Sequence, residues 1–289
     1  MFLPQNVLEE KLRKMLAEDL GQGDVTTALV VPAQSMAEAH VIAKEAGIVA
    51  GMEETEILLK SVGLNVEMLA SDGDAIKKKQ VLMKISGNAR VLISVERTLL
   101  NIVSRMSGIA TTTRKLADKL AKAKLKTKVA CTRKTAPGLL YFDKKAVMIG
   151  GGDPHRLHLD DLVLLKDNHI AVVGDIGKAV KRAKENASFC KKIEVETSTV
   201  EEALSAVKAG ADIIMFDNFS PKQVRRGVNV LKKNEFFGKV LLEASGGITE
   251  DNILEYASTG VDLVSLGEIT DSAKTLDISL EIMKASKKR

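Results

Sequence analysis

From about residue 109 onward, this 289-residue chain alternates short apolar runs with segments of helical spacing. Some of the runs are almost continuously apolar, as in Ile213-Ile-Met-Phe216. Such runs are typical of parallel strands that are buried on both faces, whereas half-exposed strands alternate apolar and polar residues. The alternation of strands and helices therefore predicts a parallel sheet or barrel built from strand–helix units.

Six strands are predicted in this part of the chain, with helices such as residues 200–208 and 251–258 between them. A seventh, shorter strand is predicted near residues 147–149. Eight strands are not visible, which argues against a complete eight-stranded barrel. The six predicted strands cover residues 126–131, 161–165, 192–195, 212–216, 239–243 and 262–266.

The part before about residue 108 has a different pattern, which predicts a sandwich-like α/β domain. Residues 8–20 have helical spacing and end at Gly21, and strands are predicted within residues 37–49, 64–69 and 81–85. A long amphipathic helix is predicted from about residue 89 toward residue 106. We therefore expect an N-terminal domain at residues 1–108 and a second domain of alternating strands and helices at residues 109–269. Residues 270–289 are expected to pack with the first domain.

Polar residues and glycines follow the predicted strands of the second domain. In α/β barrels the active site is built at the carboxyl ends of the strands. One polar residue at a strand end usually has only a structural role, but six that share this position predict a common site. These six residues are Arg133, Lys166, Glu196, Asp217, Ser245 and Gly267.

Five cationic or potentially cationic side chains lie among glycines and strand ends in this domain. Arginine offers a planar fork for carboxylate or phosphate, and lysine offers a point charge. A solvated basic surface is the usual role of such residues. It is disfavoured here because three consecutive glycines and a Pro-Gly pair lie beside them. We therefore predict a ligand with several negative charges, bound by Arg133, Lys134, His155, Arg156 and Lys166.

Acidic residues and glycines complete the predicted site. Glu196 and Asp217 lie in the same basic region, where ion pairing with the neighbouring cations is a serious alternative to a functional role. Backbone amides at residues 245–247 and at Gly267 could hold a phosphate, since barrel folds often bind phosphate on their last loops. A Gly-Gly pair by itself is usually only a turn.

Composition limits the classes of function. The net charge of +5 permits nucleic-acid binding, but aromatic residues make up only 3% of the chain and Trp is absent, so surfaces for base stacking are scarce. No run approaches the roughly 20 apolar residues of a membrane span, and the start does not resemble a secretory signal. The two cysteines, Cys131 and Cys190, are expected to be reduced thiols. A cytoplasmic protein without nucleic-acid or membrane partners is predicted.

The motifs of the second domain occur in a specific order. They are Thr132-Arg-Lys-Thr135, Pro137-Gly138, Gly150-Gly-Gly152, His155-Arg156 and Lys166-Asp-Asn-His169. In residue type and order they resemble the motifs of the quinolinate phosphoribosyltransferase family. The similarity extends from Gly23-Asp-Val-Thr-Thr27 to Thr259-Gly-Val-Asp262 and so covers nearly the whole chain.

The resemblance implies a fold and a reaction. The fold is an open seven-stranded α/β barrel with an N-terminal α/β sandwich domain. The reaction is phosphoribosyl transfer from phosphoribosyl pyrophosphate to quinolinate, with decarboxylation. Its products are nicotinate mononucleotide, CO₂ and pyrophosphate, in de novo NAD biosynthesis. Quinolinate is a pyridine with two carboxylates, so it matches the predicted multiply charged anion.

The resemblance also implies roles for single residues. Quinolinate would be bound by Arg97, Arg133, Lys134, His155, Arg156 and Lys166. Phosphoribosyl pyrophosphate would be bound by Glu196, Asp217, Ser245, Gly246, Gly247 and Gly267. The catalytic residues would be Lys134, Lys166, Glu196 and Asp217. Mg²⁺ would be held mainly by substrate and water, with Glu196 and Asp217 as candidate protein ligands. A homodimer with Arg97 contributed across the interface is expected, or a higher oligomer.

Three departures from the family pattern concern details of the site. Leu140 replaces an arginine of many relatives, Asp271 replaces a histidine, and Pro154 replaces an asparagine. Asp271 would repel a phosphate if its side chain pointed into the site. Other functions stay open: a nicotinate phosphoribosyltransferase without decarboxylation, a molybdate-transporter-associated relative, and a binding protein without turnover. The Lys166 motif favours the quinolinate branch, and the full set of acids and cations argues against a binding protein.

Overall fold

The computed structural model describes residues 3–287 and contains two compact units. Unit 1 comprises residues 3–112, 148–150 and 273–287, and unit 2 comprises residues 113–147 and 151–272. The helices are α1 Gln5–Leu20, α2 Val25–Val30, α3 Met52–Ser61, α4 Ala89–Lys122, α5 Leu140–Ile149, α6 Asp167–Val173, α7 Ile176–Asn186, α8 Val200–Ala209, α9 Pro221–Lys233, α10 Ile253–Ala257 and α11 Glu268–Asp271.

The strands are β1 Ser35–Ala43, β2 Gly47–Ile48, β3 Asn65–Met68, β4 Ala75–Ile76, β5 Val81–Asn88, β6 Lys128–Cys131, β7 Val163–Leu165, β8 Ile193–Thr197, β9 Ile213–Asp217, β10 Leu241–Ser245, β11 Leu263–Leu266 and β12 Ile278–Lys287. Each of the six strands predicted in the second domain is present, displaced by no more than a few residues. The α/β architecture predicted from the sequence is confirmed.

Unit 1 is built on an antiparallel sheet with strand order β12-β1-β5-β3. Alternate residues of β1 are buried, as expected of a strand with one face on a core. Helix α1 lies against α3, and its Leu8, Leu12 and Leu16 are buried because residues four apart share one helix face. The C-terminal strand β12 pairs with β1, from Ile278 opposite Ala43 onward.

Unit 2 is built on a parallel sheet with strand order β6-β11-β10-β9-β8-β7. Its central strand β9 is buried along four of its five residues, which explains the continuous apolar run in the sequence. Helix caps keep the loops after the strands short. The Ser220 hydroxyl caps α9, which has proline at its first position, and the Thr199 hydroxyl caps α8 at 3.1 Å.

The predicted seventh strand near residues 147–149 is wrong, because these residues form the last turn of α5. Phe142 and Ala146, four residues apart, are buried on one face of that helix. A short apolar run cannot be assigned to strand or helix by periodicity alone. Instead of a seventh strand, an isolated parallel bridge joins Ala130 of β6 to Asp153. The bridge places the residues after Asp153 next to the carboxyl end of β6.

Helices α2 and α3 were not predicted from the sequence, and the long helix α4 extends well beyond its predicted end near residue 106. Helix α4 continues to Lys122. Its 34 residues are amphipathic and carry charges throughout. Within residues 3–287, no helix combines the length and apolar character needed to cross a membrane.

Candidate active site

The carboxyl ends of strands β6 to β11 surround a pocket of about 500 Å³ in unit 2. Because the six strands are parallel, the residues at their ends meet on one side of the sheet. Eleven of the twelve predicted site residues line this pocket: Arg133, Lys134, His155, Arg156, Lys166, Glu196, Asp217, Ser245, Gly246, Gly247 and Gly267. The twelfth, Arg97, is an exposed residue of α4 in unit 1 and is not among the lining residues.

Two guanidinium groups lie near each other in the pocket. Burial lowers the pKa of the Arg156 guanidinium, and the positive charge of Arg133 lowers it further. Like charges at close range disfavour each other's charged form. An anion bound between Arg133 and Arg156 would remove this repulsion, so the arrangement favours a negatively charged ligand.

Lys134 follows Arg133 on the loop after β6. Its backbone carbonyl accepts a hydrogen bond of 2.7 Å from the hydroxyl of Thr270, and its backbone N–H donates to the Thr132 hydroxyl at 3.2 Å. Its side chain is left exposed. The loop is thus held through its backbone while the ammonium group can reach a ligand.

Lys166 and Glu196 form an ion pair between the ammonium group and carboxylate oxygen Oε2. The side chain of Glu196 is 15% exposed and that of Lys166 is 42% exposed. The backbone N–H of Lys166 also donates to Nδ1 of His169 at 2.9 Å, within the first turn of α6. The ion pairing considered from the sequence as an alternative role for Glu196 therefore occurs in this structure.

Asp217 ends β9 beside Glu196 on the neighbouring strand β8. Burial and, next, the negative charge of Glu196 raise the pKa of the Asp217 carboxyl group. The amide Nδ2 of Asn218 donates to its Oδ2 at 2.6 Å. The carboxyl groups of Glu196 and Asp217 together form an acidic wall that would bind cations or hydroxyl groups.

His155 has protein partners at both ring nitrogens. Its Nε2 lies 3.1 Å from Oε2 of Glu243 and 3.6 Å from Oε1 of Glu194. Its Nδ1 accepts a 2.8 Å hydrogen bond from the backbone N–H of Arg156. A bond of that kind needs the lone pair of Nδ1, so it favours the tautomer whose proton is on Nε2 and points to Glu243.

His155, Glu194 and Glu243 form a cluster that holds one proton more than the same three groups would hold when exposed to solvent. Burial disfavours the charged ring, but the nearby carboxyl groups of Glu194 and Glu243 outweigh burial and raise the pKa of His155 to about 10. The N–H of Arg156 opposes a second ring proton, because it points at Nδ1. We place the extra proton on Glu194, since burial and the charge of Glu243 raise the pKa of that carboxyl group.

The same geometry argues against a metal ion at this cluster. One ligand atom from each of His155, Glu194 and Glu243 lies within 4.8 Å of the others, which is a spacing that a metal ion could use. A ring that accepts a hydrogen bond at Nδ1 must keep its proton on Nε2, so Nε2 cannot also bind a metal ion unless the imidazole loses both protons. We therefore interpret the cluster as hydrogen-bonded.

Glu194 and Glu243 were not among the site residues predicted from the sequence. Both are almost completely buried, and three of their four carboxylate oxygens have no hydrogen-bond partner. The signal in the sequence was an acidic residue inside an apolar strand, as in Ile193-Glu-Val195. An ionisable residue buried in that position is found mainly where it has a specific partner.

The loop after β10 combines two glycines with the end of a buried strand. Gly246 and Gly247 have φ of 87° and 63°, a left-handed conformation that favours glycine. A Cβ atom on Gly246 would lie 2.3 Å from Oδ1 of Asn218, whereas one on Gly247 would meet no atom within 4 Å. Gly247 therefore presents open backbone to the pocket, as a phosphate-binding loop does.

Two of the three departures from the family pattern, Asp271 and Pro154, lie next to residues that line the pocket. Leu140 begins α5 and is half-buried. The Asp271 carboxylate lies close to Gly267, where a Cβ atom would be 2.8 Å from its Oδ2. It also accepts a 2.6 Å hydrogen bond from the Ser272 hydroxyl. Pro154 supplies a carbonyl that accepts hydrogen bonds from the side chains of Lys144 and Cys131.

Comparison with known proteins places the chain among enzymes of pyridine nucleotide metabolism. Two family models match, described as the N-terminal and C-terminal domains of quinolinate phosphoribosyl transferase, over residues 24–107 and 109–281. A probable nicotinate-nucleotide pyrophosphorylase [carboxylating] of Methanocaldococcus jannaschii is 44% identical over 277 residues, which are 94% of this chain and 96% of that protein. Its counterpart from Methanothermobacter thermautotrophicus is 42% identical, over 94% of this chain and 97% of that protein.

A solved structure shares the whole fold. The nicotinate-nucleotide pyrophosphorylase from Francisella tularensis superposes with a TM-score of 0.87 at 36% identity, over 98% of each chain. The two family models together match most of this chain, and the similarity to the relatives extends over nearly its full length. The chain therefore belongs to the quinolinate phosphoribosyltransferase family.

Proposed function

We propose that this chain transfers the phosphoribosyl group of phosphoribosyl pyrophosphate to quinolinate and releases CO₂. The products are nicotinate mononucleotide and pyrophosphate, in de novo NAD biosynthesis. One observation supports this proposal above the others: the pocket at the strand ends combines a cationic wall, two carboxylates and an open glycine loop. These are the partners required by a dicarboxylate, a ribose and a phosphate respectively.

The cationic wall fits quinolinate better than nicotinate. Arg133, Lys134, Arg156 and Lys166 together supply more positive charge than one carboxylate needs. A second carboxylate buried without partners would cost several kcal/mol, so a site with this many cations is suited to a dianion. The ring nitrogens of His155 are both engaged by the protein, so its role would be to shape this wall.

The opposite side of the pocket fits the phosphoribosyl donor. Ser245, Gly246, Gly247 and Gly267 would receive its phosphate groups through backbone amides. Glu196 and Asp217 would accept hydrogen bonds from the ribose hydroxyls. Binding quinolinate between the cations would also draw Lys166 away from Glu196, which would leave the Glu196 carboxylate free for the ribose.

The proposed chemistry requires positioning and electrostatics more than proton transfer. The pyridine nitrogen already carries a lone pair, so it can attack C1 of the ribose without a general base. The bond from C1 to the pyrophosphate oxygen breaks, and pyrophosphate leaves with the electron pair. Positive charge develops on the sugar, where the carboxylates of Glu196 and Asp217 would stabilise it.

Decarboxylation would follow from the charge on the ring. Once the ring nitrogen has bonded to C1 of the ribose, it carries one positive charge and can accept electron density from the neighbouring carbon. The bond to the adjacent carboxylate then breaks, CO₂ leaves, and the ring carbon takes a proton from water. Lys134 and Lys166 would hold the substrate so that its ring nitrogen faces C1 of the ribose. This positioning increases the rate because the reacting atoms are already aligned when the substrates are bound.

Mg²⁺ is the proposed cofactor, and the acidic wall suits it. The raised pKa of Asp217 reflects burial beside another carboxylate, and a cation would relieve that repulsion. Mg²⁺ usually keeps several waters and takes one or two protein carboxylates together with substrate phosphates. Glu196 and Asp217 would therefore be its protein ligands. When bound, the ion would neutralise charge on the departing pyrophosphate.

We further propose a homodimer in which Arg97 serves the quinolinate site of the partner. Arg97 is exposed on α4 and would add a guanidinium group to a dianion site. A higher oligomer could be built from such dimers.

A direct assay tests the proposed function. The protein is incubated with phosphoribosyl pyrophosphate, Mg²⁺ and quinolinate labelled at the carboxylate next to the ring nitrogen, and labelled CO₂ and nicotinate mononucleotide are measured. We expect both products in equal amounts, and little mononucleotide when nicotinate replaces quinolinate. Equal or faster turnover of nicotinate would support the phosphoribosyltransferase without decarboxylation. Binding of both substrates without product would support a binding protein.

A further inference from the structure

Lys144 is one of the largest fully buried side chains within residues 3–287. It lies on α5 and is not among the residues that line the pocket. Lysine is almost never completely buried, because an ammonium group loses its hydration unless the protein provides acceptors. The partners of Lys144 therefore indicate what the residue does.

Both of its acceptors are backbone carbonyls of one short segment. The Lys144 ammonium donates hydrogen bonds to the carbonyls of Pro154 and Arg156, the second at 3.1 Å. The thiol of Cys131 donates to the same Pro154 carbonyl at 3.4 Å. The two carbonyls bonded to Lys144 lie on either side of His155, so a single buried nitrogen joins the backbone before and after that residue.

The backbone at His155 needs such support. Its φ is 54°, a left-handed conformation that costs free energy for any residue other than glycine or, to a smaller extent, asparagine and aspartate. The backbone N–H of His155 donates to Oδ1 of Asp153 at 2.8 Å, which holds the turn from one side. Lys144 holds it from the other side, by fixing the directions of the two carbonyls.

The turn at His155 decides where two pocket residues lie. With the backbone in this conformation, the N–H of Arg156 reaches Nδ1 of His155, and both side chains line the pocket. Loss of the Lys144 ammonium would leave the Arg156 carbonyl without this donor and the Pro154 carbonyl with only the weak thiol donor of Cys131, which favours a change of backbone conformation. The side chain of Arg156 would move with the backbone.

We propose that Lys144 is a positioning residue for the pyridine dicarboxylate site. By holding the carbonyls of Pro154 and Arg156, it maintains the left-handed turn at His155 and directs the Arg156 guanidinium toward the substrate. This inference rests on the proposed function, because it takes quinolinate as the ligand of Arg156. It assigns Lys144 no contact with either substrate.

The substitution Lys144→Met tests the inference by its selectivity. Methionine has a similar length and no donor. We expect the affinity for quinolinate, measured by titration calorimetry on the whole protein, to fall about tenfold or more, as expected when a charge-assisted contact is misplaced. The affinity for phosphoribosyl pyrophosphate with Mg²⁺ should change by less than about twofold, since the glycine loop and the acidic wall are untouched. The Tm is expected to fall as well, because the carbonyls of Pro154 and Arg156 lose a donor in a buried space, so the difference between the two substrates carries the test.

Lys145→Met is the matched control. Lys145 is the next residue of α5, is also buried, and places its ammonium nitrogen 6.0 Å from the centre of the Tyr141 ring. The same change of side chain is therefore made on the same helix, away from the two carbonyls. We expect wild-type affinity for quinolinate in this variant. Lys144→Gln, which keeps an N–H donor without the charge, should lose less affinity than Lys144→Met.

The outcomes separate the inference from the proposed function. Wild-type protein that binds quinolinate and releases CO₂ supports the function, whatever the variants do. Unchanged quinolinate affinity in Lys144→Met overturns the inference alone. An equal loss of affinity for both substrates also overturns it, because Lys144 would then have a general structural role. Failure of both Lys144 variants to fold overturns it for the same reason. Wild-type protein that binds no quinolinate overturns both.

Discussion

Lys166 and Glu196, at the ends of the neighbouring parallel strands β7 and β8, form an ion pair inside the pocket. One residue belongs to the cationic wall and the other to the acidic wall. Without substrate, each wall thus partly neutralises the other. A dianion that attracts Lys166 and a sugar that needs Glu196 would both compete with this pair, so binding of the two substrates would be favourably coupled.

The substitution Lys166→Met should reduce catalytic efficiency at least about tenfold, because it removes a charge-assisted contact worth roughly 1.5–3 kcal/mol. Its effect on stability should be small, since the Lys166 side chain is 42% exposed and ion pairs that are open to solvent contribute roughly 0–1 kcal/mol. Kinetics and urea unfolding on the same preparations measure both, with the exposed Lys222→Met as control. Normal kinetics with a large loss of stability would assign Lys166 a structural role.

Glu196→Gln and Asp217→Asn should lower turnover at saturating substrate and Mg²⁺, because each amide keeps the shape of the side chain and removes the negative charge that stabilises the sugar cation. Single-turnover kinetics measure the chemical step. Glu201→Gln, at an exposed residue of α8, is the control. Unchanged turnover in both variants would exclude the electrostatic role, and a higher KM at normal turnover would show that these residues only bind the ground state.

Stability should fall as pH rises from about 6.5 toward 10. The pKa of His155 is raised from 6.5 to about 10 in the folded protein, so the folded cluster holds one proton more than the unfolded chain in this window. The stabilisation is complete below pH 6.5 and is lost as pH passes through the folded pKa, by at most about 1.4 kcal/mol per pH unit. Glu243→Gln removes one buried charge and should make the decline shallower. Urea unfolding at about pH 7 and about pH 9 compares the two proteins, and equal declines would contradict this assignment.

Mixing two inactive variants should restore activity if Arg97 serves the partner's site. Arg97→Ala and Lys166→Ala should each be nearly inactive alone. In a random mixture of two-fold dimers, each mixed dimer carries both lesions in one site and none in the other, so about a quarter of all sites should recover. Activity after verified subunit exchange measures this fraction. Absence of recovery would show that Arg97 acts in its own subunit or has no role.

Cys190 should be alkylated by iodoacetamide in the native protein while Cys131 is spared. Cys190 is exposed, whereas Cys131 is buried. Burial outweighs the nearby Lys144 charge and raises the pKa of the Cys131 thiol, which lowers the fraction of reactive thiolate. Peptide mass spectrometry locates the label, and urea-unfolded protein, in which both cysteines should react, is the control. Rapid labelling of native Cys131 would show that this part of the pocket opens.

Local patterns in the sequence predicted the parallel sheet and most of the pocket. An apolar run such as Ile213-Ile-Met-Phe216 is buried on both faces wherever it lies in a sheet, so its structure follows from its composition. Polar residues that directly follow such runs must then meet at one edge. The same reasoning failed at residues 147–149, because a short apolar run packs equally well in a helix.

Only the tertiary structure decided which charged groups are partners. Lys144 and Lys145 are adjacent lysines on one helix, and no local pattern shows that Lys144 reaches the carbonyls beside His155. Likewise His155 meets Glu243 of β10 at 3.1 Å across 88 residues of sequence. A pattern of burial depends on each segment by itself, whereas a hydrogen bond depends on the positions of two segments at once. The sequence by itself therefore determined the six parallel strands and most of the pocket at their ends, and the packing of the elements determined the ion pairs and hydrogen bonds of that pocket.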